Sequence, residues 1–262
     1  RDAPPSGRND PTGYFRQDAV MQKGPDGAEI RSENERIYFT LFKRTLIMSL
    51  AITAACIALA YPVAWLLANL PSSKANLLMI LVLLPFWTSL LVRTSAWKVM
   101  LQQQGVINDV LVWIGLVADD TRLVMINNQA GTMIAMTPIL LPFMILPIYA
   151  ALETLDISLL EAAEDLGCSR FSAFWLVTIP LSKQGIIAGS FLVFIPTIGE
   201  FVIPSLLGGS RTLMIGKVLW EEFFSNRDWP VASAVAVVLL LILIIPIVLF
   251  QRNEQKQREA DQ

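Results

Sequence analysis

Five apolar stretches, each close to the length of a membrane crossing, limit how this chain can fold. A helix rises about 1.5 Å per residue, so crossing the roughly 30 Å hydrocarbon layer takes about 20 apolar residues. The stretches are 45–70 ("TLIMSLAITAACIALAYPVAWLLANL"), 76–101, 130–152 ("AGTMIAMTPILLPFMILPIYAAL"), 185–207 ("GIIAGSFLVFIPTIGEFVIPSLL") and 230–250 ("PVASAVAVVLLLILIIPIVLF"). The first carries no charge, and the second has Arg93 and Lys98 toward one end, where long side chains reach the interface. The third holds three prolines, which membrane helices tolerate when neighbours satisfy the freed carbonyls. The fourth contains a single carboxylate, Glu200. An all-α integral membrane protein with five transmembrane helices is expected, with residues 44–251 as its membrane domain.

The totals agree. The chain is 54% hydrophobic and 16% charged, with a mean hydropathy of +0.55. A net charge of -2 and the lack of histidine argue against a nucleic-acid partner, which needs a concentrated basic face, and remove the commonest metal ligand and acid–base group. Cys56 lies inside an apolar stretch and Cys168 beside "EAAEDLG"; both read as free thiols. Residues 1–43 ("RDAPPSGRNDPTG" onward) are polar and rich in Pro, Gly, Asp and Arg, a loop or partly ordered segment. The stretch 105–116, "GVINDVLVWIGL", is too short to span and suits an interfacial helix.

Basic residues favour the cytoplasmic side, but here they do not decide. One side of the stack holds Lys74, Arg170, Lys183, Arg252, Lys256 and Arg258; the other holds Arg93, Lys98, Arg122, Arg211, Lys217 and Arg227. Lys43 and Arg44 pull mildly toward a cytoplasmic N-terminal segment.

Between the third and fourth stretches lies "LDISLLEAAEDLGCSRFSAFWLVTIP", residues 155–180. Ser158 followed by Glu161 fits a capping box and predicts a helix start. Leu159, Leu160, Ala163 and Leu166 recur on one face, and Gly167 is a natural stop. Ser169 can cap a second piece carrying Phe171, Phe174, Trp175 and Val177, before Pro180 interrupts the next helix. Helices this short are marginal without a partner surface. The apolar face therefore lies either on lipid or in a groove of another protein, where the small Ala162 and Ala163 permit close approach.

"EAAEDLGCSRFSAFWLVTIP" resembles the EAA loop of ABC importer permeases, with Glu161-Ala162-Ala163, then Gly167, then Ile179-Pro180 at the expected spacing. "LPFWTSLLVRTSAWKVMLQQQGVIND", "GEFVIPSLLGG" and "MIGKVLWEEFFSNRDWPVASAV" are similar to permease subunits of putrescine/spermidine importers, and the likeness runs from about residue 40 to 250. The resemblance implies a bacterial inner-membrane permease whose cytoplasmic loop docks on a separate ATPase dimer through Glu161, Ala162, Ala163, Gly167, Arg170 and Pro180. It also implies a second homologous permease, an external solute-binding protein, and ATP and Mg on the partner ATPase, with no cofactor on this chain. Residues 252–262 would then be a cytoplasmic tail and residues 1–43 an external segment. That topology calls for one more helix upstream of Arg1, making six. The sequence holds no G-x-x-x-x-G-K-[ST] motif, since "GGSRTLMIGK" lacks the required first glycine.

A carboxylate within an apolar span costs about 2.5 to 3.5 kcal/mol at mid-bilayer on insertion scales and seldom faces lipid. Pro196, Gly199 and Pro204 surround Glu200 and predict a kinked or broken helix, as where backbone lines protein or water. Glu200 is thus a candidate pathway anion for a polyamine cation, with Trp or Tyr faces adding cation–π attraction; the alternative is that it pairs with a basic residue such as Arg93. Trp220, Glu221 and Glu222 form a second candidate cluster, although such a cluster is more often a solvated face, and Asp109 and Trp97 are further candidates. Trp87 and Trp97 can also be read as interfacial anchors.

Overall fold

A computed structural model describes residues 21–24, 27–30, 37–209 and 212–260. They form two compact units, one built from the chain up to Thr45 together with Met214 onward, the other from Leu46–Leu213.

The larger unit is helical. Helix α1 (Ile37–Asn69) enters it at Leu46 and presents Ile52, Cys56, Ala60 and Ala64 to the core at four-residue intervals, all fully buried. Such a row is the ridge by which helices interdigitate. Helix α2 (Ser72–Leu83) follows, tightens into a 3-10 turn over Leu84–Trp87, and gives way to α3 (Leu90–Met100). The two helical pieces meet at 97°. Pro85 explains the turn: it has no N–H to continue the helical ladder, and its carbonyl accepts from both Thr88 N (3.2 Å) and Thr88 Oγ1 (2.8 Å). The second apolar stretch, expected as one crossing, is therefore a sharply bent pair.

Helix α4 (Val106–Trp113) and a loop lead to α5 (Gln129–Glu153). At 25 residues α5 runs unbroken through Pro138, Pro142 and Pro147, reaching ~38 Å, enough for a crossing. Its Met136, Met144, Ile145 and Ile148 are the centre of the core. Next come α6 (Ile157–Asp165), α7 (Arg170–Leu181), α8 (Lys183–Gly199) and α9 (Val202–Leu207). Helix α8 lies tightly along α5. A Cβ on Gly185 would sit 2.5 Å from Pro147 O and 2.6 Å from Ala151 Cβ, and one on Gly189 would sit 2.7 Å from Met144 Sδ, so only glycine allows this approach.

In the smaller unit, strands β1 (Met21–Gly24) and β2 (Gly27–Ile30) pair antiparallel, with Met21 opposite Ile30. This hairpin lies in the segment read from sequence as loop; four-residue strands with glycines at their ends are too short to leave a pattern of alternation. The rest of residues 1–36 lies outside the described residues, as does Arg211. Helix α1 begins at Ile37, so Lys43 and Arg44 belong to its first turns and not to a flanking loop. Helix α10 (Ile215–Trp220) has its first N–H taken by Thr45 Oγ1 at 2.9 Å and runs into a π-turn over Glu221–Ser225. Helix α11 (Trp229–Ala260) is capped by Asp228, whose Oδ1 accepts from Val231 N at 3.3 Å, and it carries the polar tail as helix through Ala260.

By length and composition two described helices can cross a membrane alone, Tyr38–Asn69 and Gln129–Glu153, with the bent pairs Ser72–Trp87 plus Leu90–Met100 and Arg170–Leu181 plus Lys183–Gly199 as further spans. The apolar part of α11 is Trp229–Ile245. The fourth expected stretch, 185–207, ceases to be one helix at Gly199.

Candidate functional site

The bracket between α5 and α8 is specified locally. Helix α6 starts at Ile157 and is capped by Asp156, whose Oδ1 accepts from Ser158 N at 3.0 Å. The expected capping box of Ser158 and Glu161 does not form, because the helix starts earlier and Asp156 already supplies the cap. Hydrogen bonding to the Ser158 backbone N–H, and then to its side chain, holds the Asp156 carboxyl below its ordinary range.

The other end is a Schellman motif. Cys168 N donates to Ala163 O at 3.0 Å and Gly167 N to Glu164 O at 2.9 Å, while Gly167 takes φ of 88°. Ser169 then caps α7, its Oγ accepting from Ser172 N at 3.2 Å, as its position suggests. Arg170 pairs with Glu164 at 3.4 Å but is 92% exposed, so the pair contributes little. Glu161 and Ala162 are exposed and Ala163 is half-buried. The two helices leave Leu159, Leu166, Phe171, Trp175 and Leu176 exposed, Leu166 by 91% and Phe171 by 73%. So much bare apolar surface on so short a bracket is an interaction face.

One aromatic side chain turns inward. Phe174 packs edge-on against Tyr61 (centroids 5.6 Å apart) and Trp65 (6.2 Å), both on α1. Within α7 the chain makes a π-turn over Phe174–Thr178, passes Pro180 and ends at Leu181; the axis then turns 61° at Ser182 into α8.

The second locus is the end of α8. Glu200 leaves the helix with ψ of 129°, and its Oε1 accepts from Val202 N (2.8 Å) and Ile203 N (3.2 Å). Those are the first N–H groups of α9, which no helical carbonyl can reach. The carboxylate therefore closes a helix break, with Pro196 and Pro204 on either side, and is half-buried. No ion pair joins it to Arg93 among the described residues; the Arg93 guanidinium lies 6.0 Å from the Phe86 ring centroid, with Nε buried and unpartnered there.

The other candidates scatter. Trp97, on α3, packs half-buried against the core. Asp109 is bound to Arg122 at 2.7 Å, and Arg122 also holds Asp119 and the Gln103 carbonyl (3.1 Å). The Asp119 and Asp109 carboxylates raise the Arg122 pKa. Asp109 thus clamps the loop that follows α4, a contact assisted by buried Asn108, whose Nδ2 donates to Leu123 O at 2.9 Å and whose Oδ1 accepts from Leu123 N at 3.1 Å. Trp220, Glu221 and Glu222 belong to the smaller unit. Lys217 pairs with Glu221 at 3.1 Å and lies 4.8 Å from the Trp220 ring centroid; Glu222 accepts from Asn226 Nδ2 at 2.9 Å. Among the described residues no three His, Cys, Asp or Glu side chains gather as a metal site, and Cys56 and Cys168 are both free.

Sequence reasoning missed Asp156, Tyr61, Ser182 and the loop clamp made by Asn108 with Leu123 and Asp109 with Arg122. Asp156 could have been found, as an Asp ahead of a new apolar period. The others are pairings between distant segments and leave no local signal.

Apart from the short hairpin near its start, this architecture is that of an all-α, multi-pass membrane protein. The family model described as "Binding-protein-dependent transport system inner membrane component" matches residues 43–258. The spermidine/putrescine transport system permease protein PotB of Escherichia coli is 39% identical over 216 residues, spanning 82% of this chain and 78% of that one. PotB of Haemophilus influenzae is 39% identical over 226 residues, 86% and 78% of the two chains. The inner membrane ABC transporter permease protein YdcU of Escherichia coli is 33% identical over 251 residues, 91% and 80%. Among solved structures, a chain of a bacterial ABC transporter involved in the import of the acidic polysaccharide alginate superposes with a TM-score of 0.65 at 19% identity, over 87% of this chain and 80% of that one, a likeness of fold alone. The chain belongs to the binding-protein-dependent transport system inner membrane component family: it is an ABC importer permease of the inner membrane, a transport component and not an enzyme.

Proposed function

We propose that this permease moves polyamines, putrescine or spermidine, across the cytoplasmic membrane, driven by a separate ATPase dimer that grips the 155–180 loop. The 39% identity to PotB over 82% of the chain carries the substrate class. The bare apolar face of α6 and α7 supports the coupling, because a helix pair so exposed needs a groove to cover it. In this reading the bracket and the tail from 252 onward are cytoplasmic, residues 1–43 are external, and Glu161, Ala162, Ala163, Gly167, Arg170 and Pro180 shape the docking element. The partners are two ATPase copies holding ATP and Mg, a second homologous permease and an external solute-binding protein.

Glu200 is the pathway residue of this proposal. Its Oε1 is engaged by two backbone N–H groups, which leaves the second carboxylate oxygen to attract a passing ammonium group. Weak attraction suits transport, since tight binding would stall release. Trp97 and the Trp220, Glu221 and Glu222 cluster are secondary candidates; Asp109 is engaged by Arg122 and serves the loop.

The test is co-purification followed by function. The chain should bring down an ATPase and a second permease, and hydrolysis should rise with binding protein loaded with putrescine rather than with an amino acid, an opine or iron. Stimulation by one of those solutes in place of putrescine would overturn the substrate class. Ion-gradient-driven uptake with no ATPase partner would overturn the motor. Glu161→Lys and Gly167→Asp should uncouple hydrolysis from uptake; wild-type coupling in both removes the docking role.

A further inference from the structure

We propose that Tyr61, Phe174 and Ser182 form the joint through which movement of the bracket enters the membrane helices, which makes them positioning residues for transport; the inference rests on the ATPase gripping that bracket. The observations converge on one place. Ser182 is the single residue between α7 and α8, where the axis turns 61°, and it is fully buried. Its Oγ donates to Ile179 O at 3.1 Å. With that proton committed, the Tyr61 hydroxyl, 3.0 Å away, must donate to Ser182 Oγ. Tyr61 is itself 8% exposed and holds the Phe174 ring edge-on. A side chain of α1 therefore grips both ends of the stretch from Phe174, inside the bracket, to the bend at Ser182.

That stretch is able to change its winding. The π-turn over Phe174–Thr178 carries one residue more per turn than an α-helix, a feature that recurs at functional sites. Pro180 contributes no N–H to the ladder. Thr178 Oγ1 is buried without a hydrogen-bond partner among the described residues, so this arrangement leaves a group unsatisfied that a rewound turn can pair. Beyond Ser182, α8 lies too close to α5 at Gly185 and Gly189 to slide independently. A push on the bracket must then either flex at this joint or carry α1, α5 and α8 with it, and the Tyr61–Ser182 bond favours the second.

The experiment uses the reconstituted complex with ATPase, second permease and putrescine-loaded binding protein. Assembly, basal hydrolysis, stimulated hydrolysis and uptake are measured for Tyr61→Phe, Ser182→Ala, the double variant, Phe174→Ala and Phe174→Tyr. A readout independent of the solute is the distance between spin labels at Cys168 and Ser190→Cys, in a Cys56→Ala background, with and without ATP. A single hydrogen bond supports a change of about two- to tenfold. Tyr61→Phe and Ser182→Ala are each expected to lower the stimulated-to-basal ratio by that factor with assembly intact, the double variant to be no worse than either, and Phe174→Tyr to keep what Phe174→Ala loses. The ATP-driven change in label distance should grow in the variants as the joint loosens. Independent, multiplying losses in the double variant, an unchanged ratio, loss of assembly in Tyr61→Phe, or a label distance insensitive to ATP in the parent each overturn the joint. Failure of the docking reading looks different: Glu161→Lys then leaves hydrolysis, uptake and the label distance at parental values.

Discussion

Two carboxylates in this protein do the same local job in opposite surroundings. Asp156 caps α6 by accepting from Ser158 N, and Glu200 closes α9 by accepting from Val202 N and Ile203 N. Asp156 is exposed, so water can replace it. Glu200 is half-buried and serves a helix whose Ile203, Pro204 and Leu207 are buried, so water has less access to the N–H groups it caps. Losing the cap should therefore cost more in the second place than in the first. The glycines repeat the contrast: Gly167 is needed for its backbone angle in open space, Gly185 for the room it leaves.

The largest break in that comparison comes from filling the glycine contact. Gly185→Leu places atoms where Pro147 O and Ala151 Cβ already stand. Overpacking of this kind costs about 1–3 kcal/mol or more, because backbone and not a flexible side chain must yield. The expected outcome is a steep fall in the monodisperse fraction after detergent extraction and in thermal midpoint; near-parental behaviour would show that α5 and α8 can separate freely.

Next comes the half-buried cap of α9. Glu200→Ala leaves two helix-end N–H groups without acceptor, at about 1–3 kcal/mol for an unsatisfied buried group. Glu200→Gln keeps an Oε1 acceptor and removes only the charge. The alanine variant should lose thermal stability and uptake together, whereas the glutamine variant should assemble normally and lose uptake of the polyamine. If glutamine restores uptake in full, Glu200 is a cap and nothing more.

Gly167→Ala should be milder. A Cβ there meets nothing within 4 Å, so the cost is the left-handed backbone alone, about 1–2 kcal/mol for a non-glycine residue. Faster hydrogen exchange of Cys168 and Gly167 amides, with the bulk of the bundle unaffected, is the expected signature. Loss of the whole fold would mean that the bracket is not locally autonomous.

These cases show what the chain discloses before it folds. Apolar length announced α1 and α5, and glycine and serine spacing announced the end of α6 and the start of α7, because those signals are local. The 97° bend at Thr88–Ser89 was signalled by the letters "LPFW" just before it, yet the unbroken apolar character on both sides concealed it. The start of α6 was misread by two residues because Asp156 and Ser158 are both good caps, and only the backbone path decides between them. At Glu200 the prolines and glycine predicted a break, while its direction and its use of the carboxylate depended on which N–H groups the turn exposed. The Tyr61–Ser182 bond joins residues 121 apart, and nothing in either neighbourhood announces it.

The smallest effect belongs to the exposed cap and concerns pH. The folded-state pKa of Asp156 lies below its ordinary value because the Ser158 N–H stabilises the charged form. The unfolded segment therefore binds its proton more readily than the folded one. It follows that the cap contributes fully above the ordinary carboxylate pKa, about 3.9, and loses its contribution as pH falls through the lower folded value. Between pH 5 and pH 8 the exchange protection of α6 relative to Asp156→Asn should be constant, since asparagine keeps an oxygen acceptor and does not titrate. Below about pH 4 the parent should converge on a less protected bracket while the asparagine variant does not follow. A difference that instead grew between pH 6 and pH 8 would assign the titration to another group.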